Sequence, residues 1–177
     1  RSLYHQDGQI LIGTSQGEIL TLDLECESRK LHVTSHFKGE LWGLAFHPHR
    51  QHVATGCDDR VIRICDADSR TLLYTRGELS SKIRACSYSR EGRQIAVGFL
   101  SCRIAVYSED LSKVVAKVSL AKNWIQVMQY SPNGKLLAVG SHDRKIYVLD
   151  ATSYQRLSVC RGHSSYITHI DFSSDSR

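Results

Sequence analysis

The sequence predicts an all-β chain of four-stranded antiparallel blades, a stretch of β-propeller, and three observations lead there. Apolar, β-branched runs recur at a fixed interval: LWGLAFHP (41–48), IRACSYSR (83–90), IQVMQYSP (125–132) and ITHIDFSS (167–174) start 42 residues apart. Each unit holds four such runs separated by turn signals, the pattern of a propeller blade of about 40–45 residues. No window sustains the 3.6-residue apolar period of a helix, so essentially no helix is expected.

The repeat holds column by column. In the opening run, the first column reads Leu41, Ile83, Ile125 and Ile167. The fourth reads Leu44, Cys86, Met128 and Ile170, and the sixth Phe46, Tyr88, Tyr130 and Phe172. The second run, HVATG, QIAVG and LLAVG, aligns Ala54 with Ala96 and Ala138, and Gly56 with Gly98 and Gly140. The third run, VIRICD, RIAVYS and KIYVLD, aligns Ile62, Ile104 and Ile146. A fourth strand is expected near 71–74, 113–118 and 155–159. HPHR, SREG and SPNG mark reversals, and the Pro and Gly of SPNG preset a tight turn. A single blade cannot bury both its faces. Radial stacking is expected to bury Ala54-type residues at tight contacts and Phe46-type aromatics between sheets.

These units divide the chain into blades at 36–77, 78–119 and 120–161, all within one partial propeller. Residues 1–35 are expected to be the end of a preceding blade, because ILIGTSQGEILTLDL (10–24) matches second and third strands, with Gly13 and Ile19 in register. Residues 162–177 read as the start of a further blade that stops after its first strand. Three whole blades with two partial ones are too few to close a typical ring and leave strand edges open. The expectation is a fragment of a longer protein, or its ordered part.

Composition agrees with a packed domain: of 177 residues, 41% are hydrophobic and 23% charged. The opening RSLYHQDGQ has no apolar signal-peptide centre, although the chain does not begin with Met and a signal could precede it. No apolar run approaches the roughly 18 residues of a membrane span. None of the six cysteines, Cys26, Cys57, Cys65, Cys86, Cys102 and Cys160, forms a CxxC pair. They read as free thiols used as small hydrophobes, which favours a reducing, cytosolic setting. The net charge of +5 is uneven: residues 1–75 carry 8 Lys/Arg against 10 Asp/Glu, residues 76–161 carry 14 against 6, and residues 162–177 carry 1 against 2. The basic middle suits either an acidic partner or a solvated face.

The units resemble WD-type repeats whose signatures are worn. The closing Trp-Asp pair appears as Cys65-Asp66, Tyr107-Ser108 and Leu149-Asp150. The opening Gly-His survives as Gly162-His163, and the turn Asp is kept as Asp59 and Asp143 but becomes Ser101. The usual polar network within a blade is thus incomplete, and apolar packing is expected to take its place. GELWGLAFHP (39–48), SPNGKLLAVGSHDRKIYVLD (131–150) and GHSSYITHIDFS (162–173) resemble the echinoderm microtubule-associated protein-like family. Their order and spacing are similar to the second of that family's two tandem propellers, over most of residues 36–173. The resemblance implies a cytoskeletal protein whose propellers bind tubulin and other partners. It also implies that a separate basic, coiled-coil region, which these residues do not include, supplies most of the microtubule attachment.

Catalysis needs convergent groups in a pocket. The nine histidines fall on turns and loops, as His47, His49 and His142 do, without a GxSxG, HExxH or paired-carboxylate motif. No catalytic, cofactor or metal residue is assigned. His47, His49 and His52 are close in sequence, but a turn between two strands explains them without a metal. Asp59 and Asp143 read as structural turn residues. Trp42 and Trp124 lie where loops lead into a blade and suit either inter-blade packing or a binding hot spot. Arg60, Arg103, Arg144 and Lys145 occupy equivalent or adjacent turn positions, and Arg84 and Lys122 lie near the blade beginnings. The six form either a positive rim facing an acidic surface such as tubulin's, or a solvated one. Nucleic acid is disfavoured for want of interleaved aromatics or a reader motif. The expected function is a noncatalytic scaffold binding tubulin, microtubules or microtubule-associated proteins, as part of a larger assembly and without membrane contact. Its expected place is the cytoplasm and cytoskeleton, the ciliary axoneme included. The alternative is a general WD-repeat adaptor in a non-cytoskeletal complex.

Overall fold

The computed structural model describes residues 2–4, 9–13, 18–23, 28–34 and 40–176. Among them are sixteen strands and no helix. The strands form four sheets, each an antiparallel meander in chain order. The first sheet is β1 (Ser2–Tyr4), β2 (Gln9–Gly13), β3 (Glu18–Asp23) and β4 (Ser28–Thr34). The second is β5 (Leu41–Phe46), β6 (His52–Cys57), β7 (Ile62–Asp66) and β8 (Leu72–Arg76). The third is β9 (Ile83–Tyr88), β10 (Gln94–Phe99), β11 (Arg103–Ser108) and β12 (Val114–Ser119). The fourth is β13 (Ile125–Tyr130), β14 (Leu136–Ser141), β15 (Ile146–Asp150) and β16 (Arg156–Cys160).

Both ends differ from the sequence reading. Residues 10–24 were expected to give two strands of an incomplete blade. They give β2 and β3, which β1 and β4 extend to a four-stranded sheet. The flanking strands lack an apolar signature: β1 has three residues, and β4 reads SRKLHVT, with charged residues among its apolar ones. Residues 162–176, expected to begin with a strand, form none. Strand 167–172 would need a ladder partner, and the described residues supply none. The segment is still anchored, with the Ile167 N–H donating to the Ser141 carbonyl at 3.3 Å and Ile167 itself buried.

The 42-residue spacing reappears in the hydrogen bonds. The turn after each first strand is closed by His47 N–H to His52 O, Ser89 N–H to Gln94 O and Ser131 N–H to Leu136 O, each at 2.9 Å. The turn after each third strand is closed from Asp66 to Thr71, Ser108 to Lys113 and Asp150 to Gln155. The worn Trp-Asp positions still work here. Asp66 Oδ1 accepts the Ser69 N–H at 2.7 Å, and Asp150 Oδ1 accepts the Ser153 N–H at 2.7 Å. These bonds hold both carboxyls below the usual carboxylate range. In the third sheet Ser108 has replaced the Asp, and Asp110 takes over, accepting from Ser108 and Ser112. Its pKa is accordingly pulled down to about 2.

First strands lie innermost, since β5 and β13 both pack against β9. Fourth strands lie at the outer rim, where Leu72, Val115 and Leu157 are exposed. Between these limits the sheets bury Ile62, Ile64, Ile83, Ile95, Ile104 and Ile125 completely. Each such side chain stabilises the fold by about 1.5–3 kcal/mol through the water it leaves. The alanine column, Ala54, Ala96 and Ala138, is buried, and close approaches fall on the glycine column. A Cβ on Gly56, Gly98 or Gly140 would stand 2.4, 2.6 or 2.7 Å from Cγ2 of Ile83, Ile125 or Ile167. Gly56 and Gly98 thus seat the isoleucines that open the next inner strands, and Gly140 seats Ile167 of the C-terminal segment.

Candidate partner-binding face

One face of the propeller carries the turns between second and third strands (58–61, 100–102 and 142–145). It also carries the segments leading into each inner strand. Three hydrogen bonds at the same repeat position tie the two sets together: Asp58 N–H to Glu40 O, Leu100 N–H to Lys82 O, and His142 N–H to Trp124 O, at 3.3, 2.9 and 3.0 Å. The turn residues Arg60, Cys102 and Arg144 share a left-handed backbone, with φ of 62°, 63° and 68°. This conformation reverses the chain within the turn and leaves the Arg60 and Arg144 side chains exposed.

The two turn aspartates are directed into the protein. Asp59 Oδ1 accepts the Val61 N–H at 3.0 Å, and Oδ2 accepts from Arg63 at 2.8 Å. Asp143 Oδ2 accepts the Tyr147 hydroxyl at 2.6 Å and the Lys122 N–H at 2.9 Å. Burial raises the Asp143 pKa, but these donors outweigh it and hold the carboxyl below its ordinary value. Burial and the adjoining carboxylate push Tyr147 up to about 12. In both blades the partner lies four residues on, in the third strand. Part of the missing network is therefore rebuilt from Arg63 and Tyr147 rather than replaced by apolar packing. Sequence reading missed both, although Asp at one position and a donor four later could have revealed them.

The six basic residues of the expected rim do not stand alike. Arg60, Arg103, Lys122 and Arg144 are exposed, and Lys145 is half-buried. Arg84 is clamped. Its guanidinium lies over the Trp42 ring, 4.6 Å from the centroid, and 5.9 Å from that of Trp124. Its Nη1 meets Asp58 Oδ1 at 3.2 Å, without the alignment of a hydrogen bond. Its side chain is only 13% exposed. The repeat explains this placement: Arg84 takes the Trp42 column on the neighbouring inner strand, so the two side chains meet on this face. Asp58 also accepts from Lys82 at 3.1 Å. Trp124 continues the aromatic cluster through His142, whose ring stacks on Tyr166 at 4.1 Å and 10°. Both tryptophans are half-buried, and the indole Nε1 of each has no hydrogen-bond partner among the described residues.

A family profile described as the echinoderm microtubule-associated protein second β-propeller matches residues 41–177. The chain belongs to this family. Echinoderm microtubule-associated protein-like 2 of Homo sapiens is 33% identical over 171 residues, covering 94% of this chain and 26% of the relative. Echinoderm microtubule-associated protein-like 4 of Mus musculus is 35% identical over 174 residues, covering 96% and 17%. The ciliary WD repeat-containing protein ctxp80 of Euplotoides octocarinatus is 29% identical over 200 residues, covering 99% and 27%. The chain thus spans roughly a quarter or less of the relatives it matches.

In this echinoderm microtubule-associated protein propeller, the other candidate groups are occupied by packing. His47 is buried, with Nδ1 accepting the His49 N–H at 3.1 Å and Nε2 lying 3.6 Å from Glu109. No group of three or more His, Cys, Asp or Glu side chains placed for a metal occurs among the described residues. Cys57, Cys65 and Cys86 are buried, Cys102 is half-buried and Cys160 exposed, while Cys26 lies outside the described residues. Burial raises the Cys57 and Cys65 thiols above their usual pKa, which suppresses the reactive thiolate. The inner strands and residues 169–171 line a concavity of about 530 Å³.

Proposed function

We propose that this chain is part of a noncatalytic propeller scaffold that docks on microtubules or microtubule-associated complexes through the face just described. The observation that carries the reading is a separation of charge by depth. Asp59 and Asp143 spend their carboxylates on internal donors, whereas Arg60, Arg103, Lys122 and Arg144 stay exposed. Among the described residues a partner therefore meets mostly positive charge, with Glu40 and Glu78 as the exposed acids of that face. Such a surface suits an acidic protein lattice and speeds encounter with it. The names of the relatives, microtubule-associated and ciliary, support the same partner class, with the cytoskeleton, cytoplasmic or axonemal, as its place. Lys145 adds to the rim, and Arg84 supports it from beneath by fixing Trp42 and Asp58.

Co-sedimentation of the full-length protein with polymerised tubulin tests the proposal. Binding should be strongest at low salt, where screening is weakest, and should weaken when Arg60, Arg103, Arg144 and Lys145 are all changed to Glu. No sedimentation at low salt would remove direct microtubule contact and leave a general adaptor. Sedimentation indifferent to the four changes would remove the rim.

A further inference from the structure

We infer that the wedge between the second and third sheets is a docking groove for an acidic peptide segment of a protein partner, anchored by an apolar side chain. The inference needs the docking-scaffold reading but not the microtubule. The wedge encloses about 440 Å³ between residues 76–80 on one side and β11 and β12 on the other. Its floor is apolar: Phe99, Ala105 and Tyr107 line it, each at most 4% exposed. Val114, 39% exposed, forms an apolar lip.

The ionised groups lining the wedge are Arg76, Arg103 and Lys117 against the single carboxylate of Glu78. Arg76 closes one end. Its Nη1 donates to the carbonyls of Leu111 and Ser112 at 2.6 and 3.3 Å, and its guanidinium lies 5.0 Å from the Tyr107 ring centroid. It crosses from β8 to the turn after β11, so the end wall is fixed before any ligand arrives.

Arg103 and Lys117 stand ready on the other wall. Ala105 pairs with Lys117 and Arg103 with Ser119, which sets Arg103 and Lys117 on one face as diagonal neighbours. Diagonal positions lie about 7–8 Å apart, within reach of long side chains. Both residues are exposed, and no ion pair among the described residues involves either of them or Glu78. Two unpaired like charges over an apolar floor are relieved by a carboxylate lying between them. A peptide that also lays an apolar side chain against the exposed Val114 lip and the wedge floor removes that side chain's own surface from water. The chemistry selects an acidic–apolar segment over a merely acidic one.

Fluorescence anisotropy of the full-length protein with a labelled Glu-Glu-Leu-Phe-Glu-Glu peptide tests this. The expected result is salt-sensitive binding, lost with Gln-Gln-Leu-Phe-Gln-Gln and weakened with Glu-Glu-Ser-Ser-Glu-Glu. Lys117→Glu should weaken it roughly fivefold or more, while Arg144→Glu, outside the wedge, leaves it unchanged. Arg103 belongs to both surfaces, whereas Lys117 belongs to the wedge alone and Arg144 to the proposed rim alone, so Lys117→Glu and Arg144→Glu let the two proposals fail separately. No binding at low salt overturns the groove, as does equal binding of the Ser-Ser peptide. Capture of phosphatidylserine vesicles or of poly-uridine without the acidic peptide overturns the peptide as occupant.

Discussion

Gly98 lies so close to Ile125 that a β-carbon on the glycine would stand 2.6 Å from the isoleucine Cγ2 and 3.0 Å from its Cβ. Ile125 is fully buried and opens an inner strand, so it has no open side to move into. Gly98→Ala must push two sheets apart. Overpacking of this kind costs about 1–3 kcal/mol. Gly77 is the control, because a Cβ there meets only Val61, at 3.9 Å. Urea unfolding should show a lower midpoint for Gly98→Ala and almost none of that loss for Gly77→Ala. Equal midpoints would refute the close seating of the blades.

The internal carboxylate of Asp143 gives a second test. Asp143→Ala removes the acceptor of the buried Tyr147 hydroxyl and of the Lys122 N–H. The expected cost is about 1–3 kcal/mol, most of it from stranding the hydroxyl. Tyr147→Phe in the Asp143→Ala background removes the stranded group and should recover part of the loss. The double-mutant cycle should give a coupling of about 1 kcal/mol. Additive effects would mean that the two side chains do not interact.

The blade count in the middle of the chain was legible because three features repeat in step: the apolar columns, the glycine column and the turn chemistry. The physical duty of the columns was only half legible. Gly56, Gly98 and Gly140 were visible as a column, but their close approach to Ile83, Ile125 and Ile167 joins residues 27 apart, the first two pairs across neighbouring sheets, and periodicity alone does not pair them. The first sheet was under-read because β1 is short and β4 carries too many polar residues to signal a strand. On the candidate face, charge and turn position found Arg60, Arg103 and Arg144. They could not separate these from Arg84, whose clamping depends on Trp42 of the neighbouring strand and Asp58 of the neighbouring turn. Such contacts are set by how the blades stack, which composition at one position does not carry.

Stability should fall as the solution is acidified, in two windows. His47 has its pKa lowered from the ordinary 6.5, chiefly by burial, with His52 and Arg50 adding to the effect and Glu109 opposing it. His49 and Tyr88 also pack against its ring. As pH falls through 6.5 the unfolded imidazole takes up a proton and the folded one does not. The unfolded state then binds more protons, so stability is lost below about pH 6.5 and unaffected above it. Asp66, Asp110, Asp143 and Asp150 are all lowered from 3.8. Their contribution is present at neutral pH and is lost as pH drops below about 3.8. The urea midpoint of the wild type should therefore decline as pH falls through about 6.5. His47→Gln should be less stable at neutral pH yet show a flatter slope across that window. An unchanged slope would assign the pH dependence elsewhere.

Arg84 offers the most direct readout of this face, because the only two tryptophans of the chain, Trp42 and Trp124, both lie beneath its guanidinium. Arg84→Ala uncovers both indoles and leaves Asp58, whose side chain is 14% exposed, with Lys82 as its remaining cation. Removing one partner of a largely buried ion pair, together with a cation over two rings, should cost about 1–3 kcal/mol. The emission difference between variant and wild type should be a red shift from newly wetted tryptophan. Arg84→Lys keeps the charge near Asp58 but not the planar group that covers the rings. It should restore much of the stability while leaving part of the red shift, separating the ionic role from the stacking one. If Arg84→Lys restores both fully, the guanidinium plane is not what packs the two tryptophans, and charge alone holds this face together.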